Sequence, residues 1–283
     1  MKNGIFNTFR CFLLALFSFF SFESWAWWSV GHRVVANIAY QHLTTSAKNK
    51  VDTLVKEFKK VTPEINSFEK MAVWPDTLYG KEKIGLTFNW HFVDSPYIVD
   101  GTRSQIIFRQ DNIIWSLETI IDALKNNQAS AYELSRLLAF LVHFLGDIHQ
   151  PLHNISLVSA MHPKGDEGGN AYAVIFNQET VNLHRVWDNC FNEFNVDESR
   201  ENIDRISQQI TTTYPIEYFR KEINQMQPTA WSKEGYRNAI HFAYTTAEGE
   251  PLDSAYVNQG RQLIKREIAL AGYRLALLLN RLY

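Results

Sequence analysis

FLVHFLGDIHQPLH, residues 140–153, decides how the rest of the chain is read. It sets His143, Asp147 and His153 in a frame of Phe140, Leu141, Val142, Phe144, Leu145, Ile148 and Leu152. His143 and Asp147 stand four residues apart, so on a helix they share one face, with Cβ atoms about 5–6 Å apart. An imidazole and a carboxylate at that spacing reach one metal ion, or two neighbouring ones. Pro151 lacks an N–H and drives its predecessor out of the α region, so the helix is expected to end or kink near Gln150. His153 then lies beyond the break, facing another direction. A polar pair inside so apolar a run is costly to bury unless something satisfies it.

The flanking periodicity is mostly helical. From Gly31 to Leu43, Val34, Val35, Ile38, Ala39 and His42 mark one face. Thr45 or Ser46 is placed to cap a helix running through Phe58. Residues 111–126 begin at an Asp111 cap, with apolar positions at 113, 114, 117, 120, 121 and 124. Residues 131–150 form the central helix, and further helices are expected near 182–195, 198–212, 230–246 and 254–281. The stretch 162–170 (HPKGDEGGN) reads as a loop, and 171–176 (AYAVIF) as a short strand in a hairpin with residues near 179–183. No repeat, low-complexity tract or convincing linker interrupts the chain. The pattern predicts one mainly α domain with a small β-hairpin, its helices packed around residues 140–153.

Composition sets limits. With 283 residues, 46% hydrophobic and 14% aromatic, the chain buries one large core or two modest ones. A formal net charge of −2 gives no global basic field, so any nucleic-acid chemistry must be local. The N-terminus reads as an export signal. Lys2 and Arg10 precede the apolar run CFLLALFSFFSF, and Ser24-Trp25-Ala26 supplies small residues at −3 and −1 for cleavage after Ala26. A retained anchor is the alternative, but that run is shorter than the ~20 residues a membrane span needs. Residues 1–26 are therefore expected to be a signal peptide and 27–283 the mature domain, secreted or periplasmic, without stable membrane association. Cleavage removes Cys11 and leaves Cys190 alone, so no internal disulfide is available and a metal becomes the obvious staple.

His184 and Asp188 in NLHRVWDN repeat the four-residue spacing on another expected helix. His91 sits in NWHFVD, Asp76 in VWPD, and His32 five residues after Trp27. Singly, each reads as a satisfied polar group or a cap. Two His/Asp pairs at helical spacing, with His153, read as a metal constellation. Nitrogen and oxygen ligands without Cys suit zinc in an enzymatic site better than a Cys-rich structural one.

The strings WWSVGH, WPD, WHFVD, FLVHFLGDIHQPLH, GGN and NLHRVWD occur in this order over residues 27–188, and AGYRLALLLN extends the pattern to Asn280. Together they resemble the zinc-dependent single-strand nucleases, the family of fungal mould nucleases and plant bifunctional nucleases. The resemblance implies the helical fold shared with zinc phospholipase C and a site of three zinc ions. Asp76, His91, His143 and Asp147 would hold the first. His153, His184 and Asp188 would hold the second. His32, a bridging Asp147, and Trp27 through its free amino group and carbonyl oxygen would hold the third. Export processing would then complete the site, because an uncleaved chain carries an amide at Trp27. The implied activity is hydrolysis of single-stranded DNA and RNA, with 3′-nucleotides as further substrates and 5′-phosphate products; Asp76 would be the catalytic carboxylate that orients water. The enzyme is expected to act as a monomer.

The resemblance also suggests a base pocket. Phe92 would stack on a base, Asp94 would accept from its edge, and Asn170, after two glycines, would help hold it. Alone, Phe92 reads equally as core packing. One position departs from the family pattern: the phosphate-binding Arg expected three residues after Asp76 is Tyr79. Tyr79, Lys81 or Lys83 would have to substitute, and none reproduces a bidentate guanidinium. His149 reads as lying behind the ligands or at the surface, His162 as loop, His241 as packing against the C-terminal helices, and Cys190 as a buried thiol. Asn154-Ile155-Ser156 is a glycosylation sequon, relevant in a eukaryotic source. Two other readings remain at this point, a zinc phospholipase C and a helical protein that uses zinc for stability alone. The long interval from His153 to His184, and an Asp at 188 where the phospholipases tend to carry a Glu, favour the nuclease.

Overall fold

The computed structural model describes residues 29–82 and 85–283. Trp27, the expected cleavage point and Lys83 lie outside the described residues. The described chain is mainly α-helical. In order come α1 (Ser29–Gln41), α2 (Thr45–Lys59), α3 (Phe68–Met71), α4 (Trp74–Glu82), a 3₁₀ turn over Gly85–His91, and β1 (Pro96–Ile98). Then follow α5 (Ile113–Asn126), α6 (Ala131–Ile148), a 3₁₀ turn over Pro151–Asn154, β2 (Ser156–Val158), β3 (Ala173–Phe176) and β4 (Glu179–Asn182). The last elements are α7 (Leu183–Asp188), α8 (Arg200–Thr213), α9 (Pro228–His241) and α10 (Ser254–Leu282). None of the described helices is long and apolar enough to cross a membrane.

Helix α6 is the centre of the molecule. It is buried without interruption from Leu138 to Ile148, on every face rather than along one stripe. Helices α2, α5, α9 and α10 pack around it. The helix ends at Ile148 and not at Gln150, and the 3₁₀ turn begins at Pro151, whose fixed φ suits a first helical position. Against this frame, α1 lies across α10, close enough that a Cβ on Gly272 would stand 2.6 Å from Ile38 Cγ2.

Several boundaries differ from the sequence expectations. Thr44, not Thr45 or Ser46, caps α2 by accepting from the Ala47 N–H. Asn112, not Asp111, caps α5 and accepts from both Ile114 and Trp115. The helix expected over 182–195 stops at Asp188, because Cys190, Phe191 and Asn192 all take positive φ and turn the chain away. His42 is exposed in the turn after α1 instead of on its face, and His241 is exposed instead of packed. The hairpin is present, with β3 and β4 paired antiparallel through a tip whose Asn177 and Gln178 have φ of 52° and 68°, the left-handed pair a tight hairpin demands.

A second, unexpected strand pair matters more for the site. Strand β1 runs parallel to β2, with Tyr97 opposite Leu157. The pairing begins before the strands themselves, where the Val93 N–H donates to the His153 carbonyl at 2.9 Å. The ladder therefore clips the segment carrying His91, Phe92 and Asp94 against the turn carrying His153.

Candidate metal centre

Three groups of buried side chains converge beside the C-terminal half of α6. The first is Asp76, His91 and His143; the second is His153, His184 and Asp188; the third is His32, His143 and Asp147. Within each group the potential ligand atoms lie within 4.8 Å of one another. All eight residues are buried. Asp147, expected from the sequence in the first group and as a bridge, lies between the first and third groups. Its Oδ1 lies 3.2 Å from His32 Nε2, while its Oδ2 lies 2.9 Å from His91 Nδ1 and 3.3 Å from His143 Nε2. Asp76 Oδ1 completes the first group at 3.2 Å from His143 Nε2 and 3.9 Å from His91 Nδ1.

Each element contributes for a local reason. The i, i+4 spacing on α6 puts His143 and Asp147 side by side, and the same spacing on α7 brings His184 Nε2 to 3.2 Å from Asp188 Oδ2. The 3₁₀ turn after α6 brings His153 Nε2 to 3.7 Å from Asp188 Oδ1. Helix α1 presents His32, whose ring stacks on that of His143 with centroids 4.0 Å apart.

The imidazoles are aimed by main-chain carbonyls. Nδ1 of His143 lies 2.7 Å from the Ala72 carbonyl oxygen, that of His153 2.7 Å from the His91 oxygen, and that of His184 2.7 Å from the Gly168 oxygen. A carbonyl only accepts, so each Nδ1 carries a proton, and Nε2 is the nitrogen that faces its group. This is the usual support of a metal-ligating histidine. The Gly168 contact has a steric requirement: its φ is +63°, and a Cβ there would stand 2.4 Å from the Leu152 oxygen. The loop is tied in place by Asp166, which accepts from the Leu157 N–H at 2.8 Å and from the Tyr244 hydroxyl at 2.7 Å.

These contacts fit a cation better than hydrogen bonding among themselves. His143 Nε2 and His91 Nδ1 stand only 3.1 Å apart. His32 Nε2, Asp147 Oδ1 and His153 Nε2 are buried with no hydrogen-bond partner, although the first two are 3.2 Å apart. Buried polar atoms so placed are costly unless they share a third partner. The electrostatics agree. Burial opposes a charge on His143, but the Asp147 and Asp76 carboxylates outweigh it and hold its pKa well above the ordinary value. Burial raises the Asp147 carboxyl, yet the His143 charge and the surrounding histidines pull it well below its usual range. For Asp188, burial is outweighed by His184 and His153, which bring it down to about 2. The site stabilises positive charge, and divalent cations supply more of it than protons do. Among the described residues the ligand set is all nitrogen and oxygen, a chemistry suited to zinc.

The residues expected to contact substrate are placed unevenly. Phe92 is half-buried, directly after His91, with Phe88 edge-on at 5.3 Å between ring centroids. Asp94 is half-buried, and burial, followed by repulsion from Glu167 and Asp166, pushes its carboxyl up to about 6. A shallow hollow is lined by Phe92, Asp94, Ile107, Phe108 and Arg109. Ile107 and Phe108 were not singled out in the sequence, because a lone exposed apolar pair in a loop carries no periodic signal; both are strongly exposed. Asn170 lies apart from that hollow, donating to the Glu167 carbonyl at 2.9 Å and lining a separate cleft with the β3–β4 hairpin and Arg185. Tyr79 and Lys81 fall on α4, a few residues after Asp76.

His149 is buried instead of at the surface. Its Nδ1 donates to the Leu145 carbonyl at 2.7 Å, and Arg274 donates to its Nε2 at 2.9 Å, so it faces α10 and not the metal groups. Asn154 of the sequon is fully buried, its amide donating to the Ile148 and Gln150 carbonyls, which leaves no room for a glycan. Cys190 is a buried free thiol, as expected.

The S1/P1 Nuclease family model matches residues 27–283. Endonuclease 3 of Arabidopsis thaliana is 30% identical, covering 91% of this chain and 89% of the relative. Endonuclease 2 of the same plant is 26% identical, covering 91% and 90%. Nuclease S1 of Aspergillus oryzae is 24% identical, covering 89% of this chain and 90% of that protein.

Proposed function

Because the chain belongs to the S1/P1 nuclease family and is a phosphodiester hydrolase, we propose that it is an exported, single-strand-specific endonuclease with 3′-nucleotidase activity that works as a monomer with three zinc ions. The observation that carries the reading is the set of three buried His/Asp groups, two of them sharing His143 and linked by the Asp147 carboxylate. Asp76, His91, His143 and Asp147 would hold one ion; His153, His184 and Asp188 a second; and His32, Asp147 and the amino group and carbonyl of Trp27 a third. When bound, zinc supplies Lewis-acid charge for the phosphodiester and lowers the pKa of water toward neutrality.

The chain's own residues do the rest. Asp76 belongs to the first group, and its carboxylate would accept a hydrogen bond from the attacking water and so orient it. The backbone carbonyls of Ala72, His91 and Gly168 keep the imidazoles from rotating during turnover. Phe92 offers a stacking face and Asp94 a polar edge to one nucleobase, with Ile107 and Phe108 as the outer lip of the same hollow. Stacking contributes about 1–3 kcal/mol per base and is open only when the base is unpaired, which selects single strands. With Tyr79 where a phosphate-binding Arg would stand, more of the binding falls on the metal groups and this hollow. Export with removal of residues 1–26 would free the Trp27 amine. Products with 5′-phosphates follow if the 3′ oxygen leaves.

The test is to purify the mature protein, measure its metal content, and assay single-stranded DNA and RNA, duplex DNA, 3′-nucleotides and phosphatidylcholine. Three zinc ions, cleavage of the single strands and release of phosphate from 3′-nucleotides support the reading. Hydrolysis of phosphatidylcholine in place of nucleic acid, or metal-loaded protein without hydrolysis, would overturn it.

A further inference from the structure

Gln150 occupies a place in the site that its sequence position does not reveal. It is completely buried between the end of α6 and the 3₁₀ turn. Its side-chain carbonyl accepts the Leu152 N–H at 2.5 Å, capping the turn that carries His153. Its side-chain amide donates to Asp188 Oδ1, 2.8 Å away on α7. The two contacts fix the amide's orientation, since an N–H cannot satisfy Leu152 and a carbonyl cannot satisfy a carboxylate. One planar group therefore joins the turn bearing His153 to the helix bearing His184 and Asp188.

We propose that Gln150 is the positioning residue of the second metal group. It engages Oδ1 of Asp188, leaving Oδ2 turned toward His184 at 3.2 Å, and it sets the spacing of His153 from that carboxylate. The arrangement divides the work of the carboxylate: Oδ1, 3.7 Å from His153 Nε2, is tied to the scaffold, and Oδ2 faces His184. A glutamine suits both ends, because it carries a donor and an acceptor on one rigid plane. Glutamate keeps the acceptor for Leu152 but puts an anion where Asp188 needs an N–H. Methionine keeps the volume and loses both contacts. This inference rests on the proposal that His153, His184 and Asp188 bind zinc.

The mature protein and its Gln150→Glu, Gln150→Met and His184→Ala variants separate the possibilities. Zinc affinity is read by competition with a chromophoric chelator, and site identity by the visible spectrum of the cobalt-substituted protein. His184→Ala marks which ion belongs to the second group. Gln150→Glu is expected to weaken that ion by about 10–100-fold, the usual cost of losing a ligand's supporting hydrogen bond. The other ions and the far-UV circular dichroism should match wild type. Gln150→Met should weaken the same ion. If Gln150→Glu binds all ions with wild-type affinity, Gln150 only caps the turn and the inference fails. A uniform loss of every ion would also overturn it, as a general structural effect. A wild-type protein with no ion lost on His184→Ala would sink the zinc reading of the second group itself.

Discussion

The ring of His153 is aimed by the main chain of His91: Nδ1 donates to that carbonyl oxygen across 2.7 Å. One candidate ligand is thus held by the backbone of another, from a different group, and the β1–β2 ladder holds both strands of chain in register. The side chain of His91 is not part of this contact. His91→Ala should therefore cost the first ion and spare the second, whereas Asp147→Ala, which removes the carboxylate proposed to serve both the first and the third ion, should cost two. Both should lower single-strand hydrolysis by more than ~10²-fold, exceeding the usual effect of disturbing a ligand's support. Metal analysis with circular dichroism checks the difference; equal losses of metal in the two variants would contradict the shared role of Asp147.

Phe92→Ala tests the base pocket. The side chain is half-buried, follows the candidate ligand His91, and lines the hollow edged by Ile107 and Phe108. Removing its face should lower kcat/KM on single-stranded DNA by about 5–100-fold, the equivalent of one lost stacking contact. Zinc content should stay at the wild-type value. Unchanged kinetics on single strands would assign Phe92 to packing alone.

Gly168→Ala should damage the second group from outside it. The added Cβ would meet the Leu152 oxygen at 2.4 Å at a φ of +63°, and the Gly168 carbonyl is the one that holds His184. Strain of this kind costs about 1–3 kcal/mol. Thermal unfolding of the metal-loaded variant should begin several degrees lower, and its second ion should be stripped at lower chelator concentration. A wild-type melting curve would show that the loop moves without cost.

Processing at Trp27 is testable by adding residues. A chain that retains one extra residue before Trp27 has an amide where the free amine is proposed to bind. It should hold one ion fewer and lose most activity, while the other two ions remain. His32 Nε2 and Asp147 Oδ1, which face each other without a hydrogen bond, then keep only each other. Full metal content in the extended chain would remove Trp27 from the ligand set.

Glu267 gives a pH dependence independent of the metal. It is buried on α10, bonded by Asn238 at 3.2 Å and Arg266 at 2.6 Å. Burial outweighs the attraction of Arg266 and pushes its carboxyl up to about 7. An unfolded Glu loses its proton near pH 4.3. Between that value and about 7 the folded state holds a proton that the unfolded state has lost, so stability falls as pH rises through this window and levels off above it. Glu267→Gln should remove that slope, gaining up to about 3 kcal/mol relative to wild type between pH 5 and pH 8. Urea midpoints of the two proteins at both pH values measure it; parallel profiles would refute it.

Much of the site was legible because its residues fall into helical spacing. His143 with Asp147, and His184 with Asp188, are local pairs that any helix would bring together. The helical class was legible for the same reason, through the apolar period of α5 and α6. What could not be read were the contacts that cross the chain. Nothing local says that Gln150 reaches Asp188, that Gly168 offers its carbonyl to His184, or that Tyr97 lies opposite Leu157 in a parallel ladder. The end of α7 was overextended because three successive residues with positive φ, none of them glycine, carry no turn signal. That His149 is buried could not be read because its partner, Arg274, comes from the far end of the chain.

By itself the sequence determined the helical pairs and the break at Pro151, since these depend on residue spacing and on covalent geometry. The tertiary structure decided which pairs meet, which carboxylate bridges two groups and which nitrogen of each imidazole turns inward. Those outcomes depend on where α1, α6, α7 and the β1–β2 ladder come to rest against one another. Packing a common core fixes that arrangement, and no run of neighbouring residues contains it.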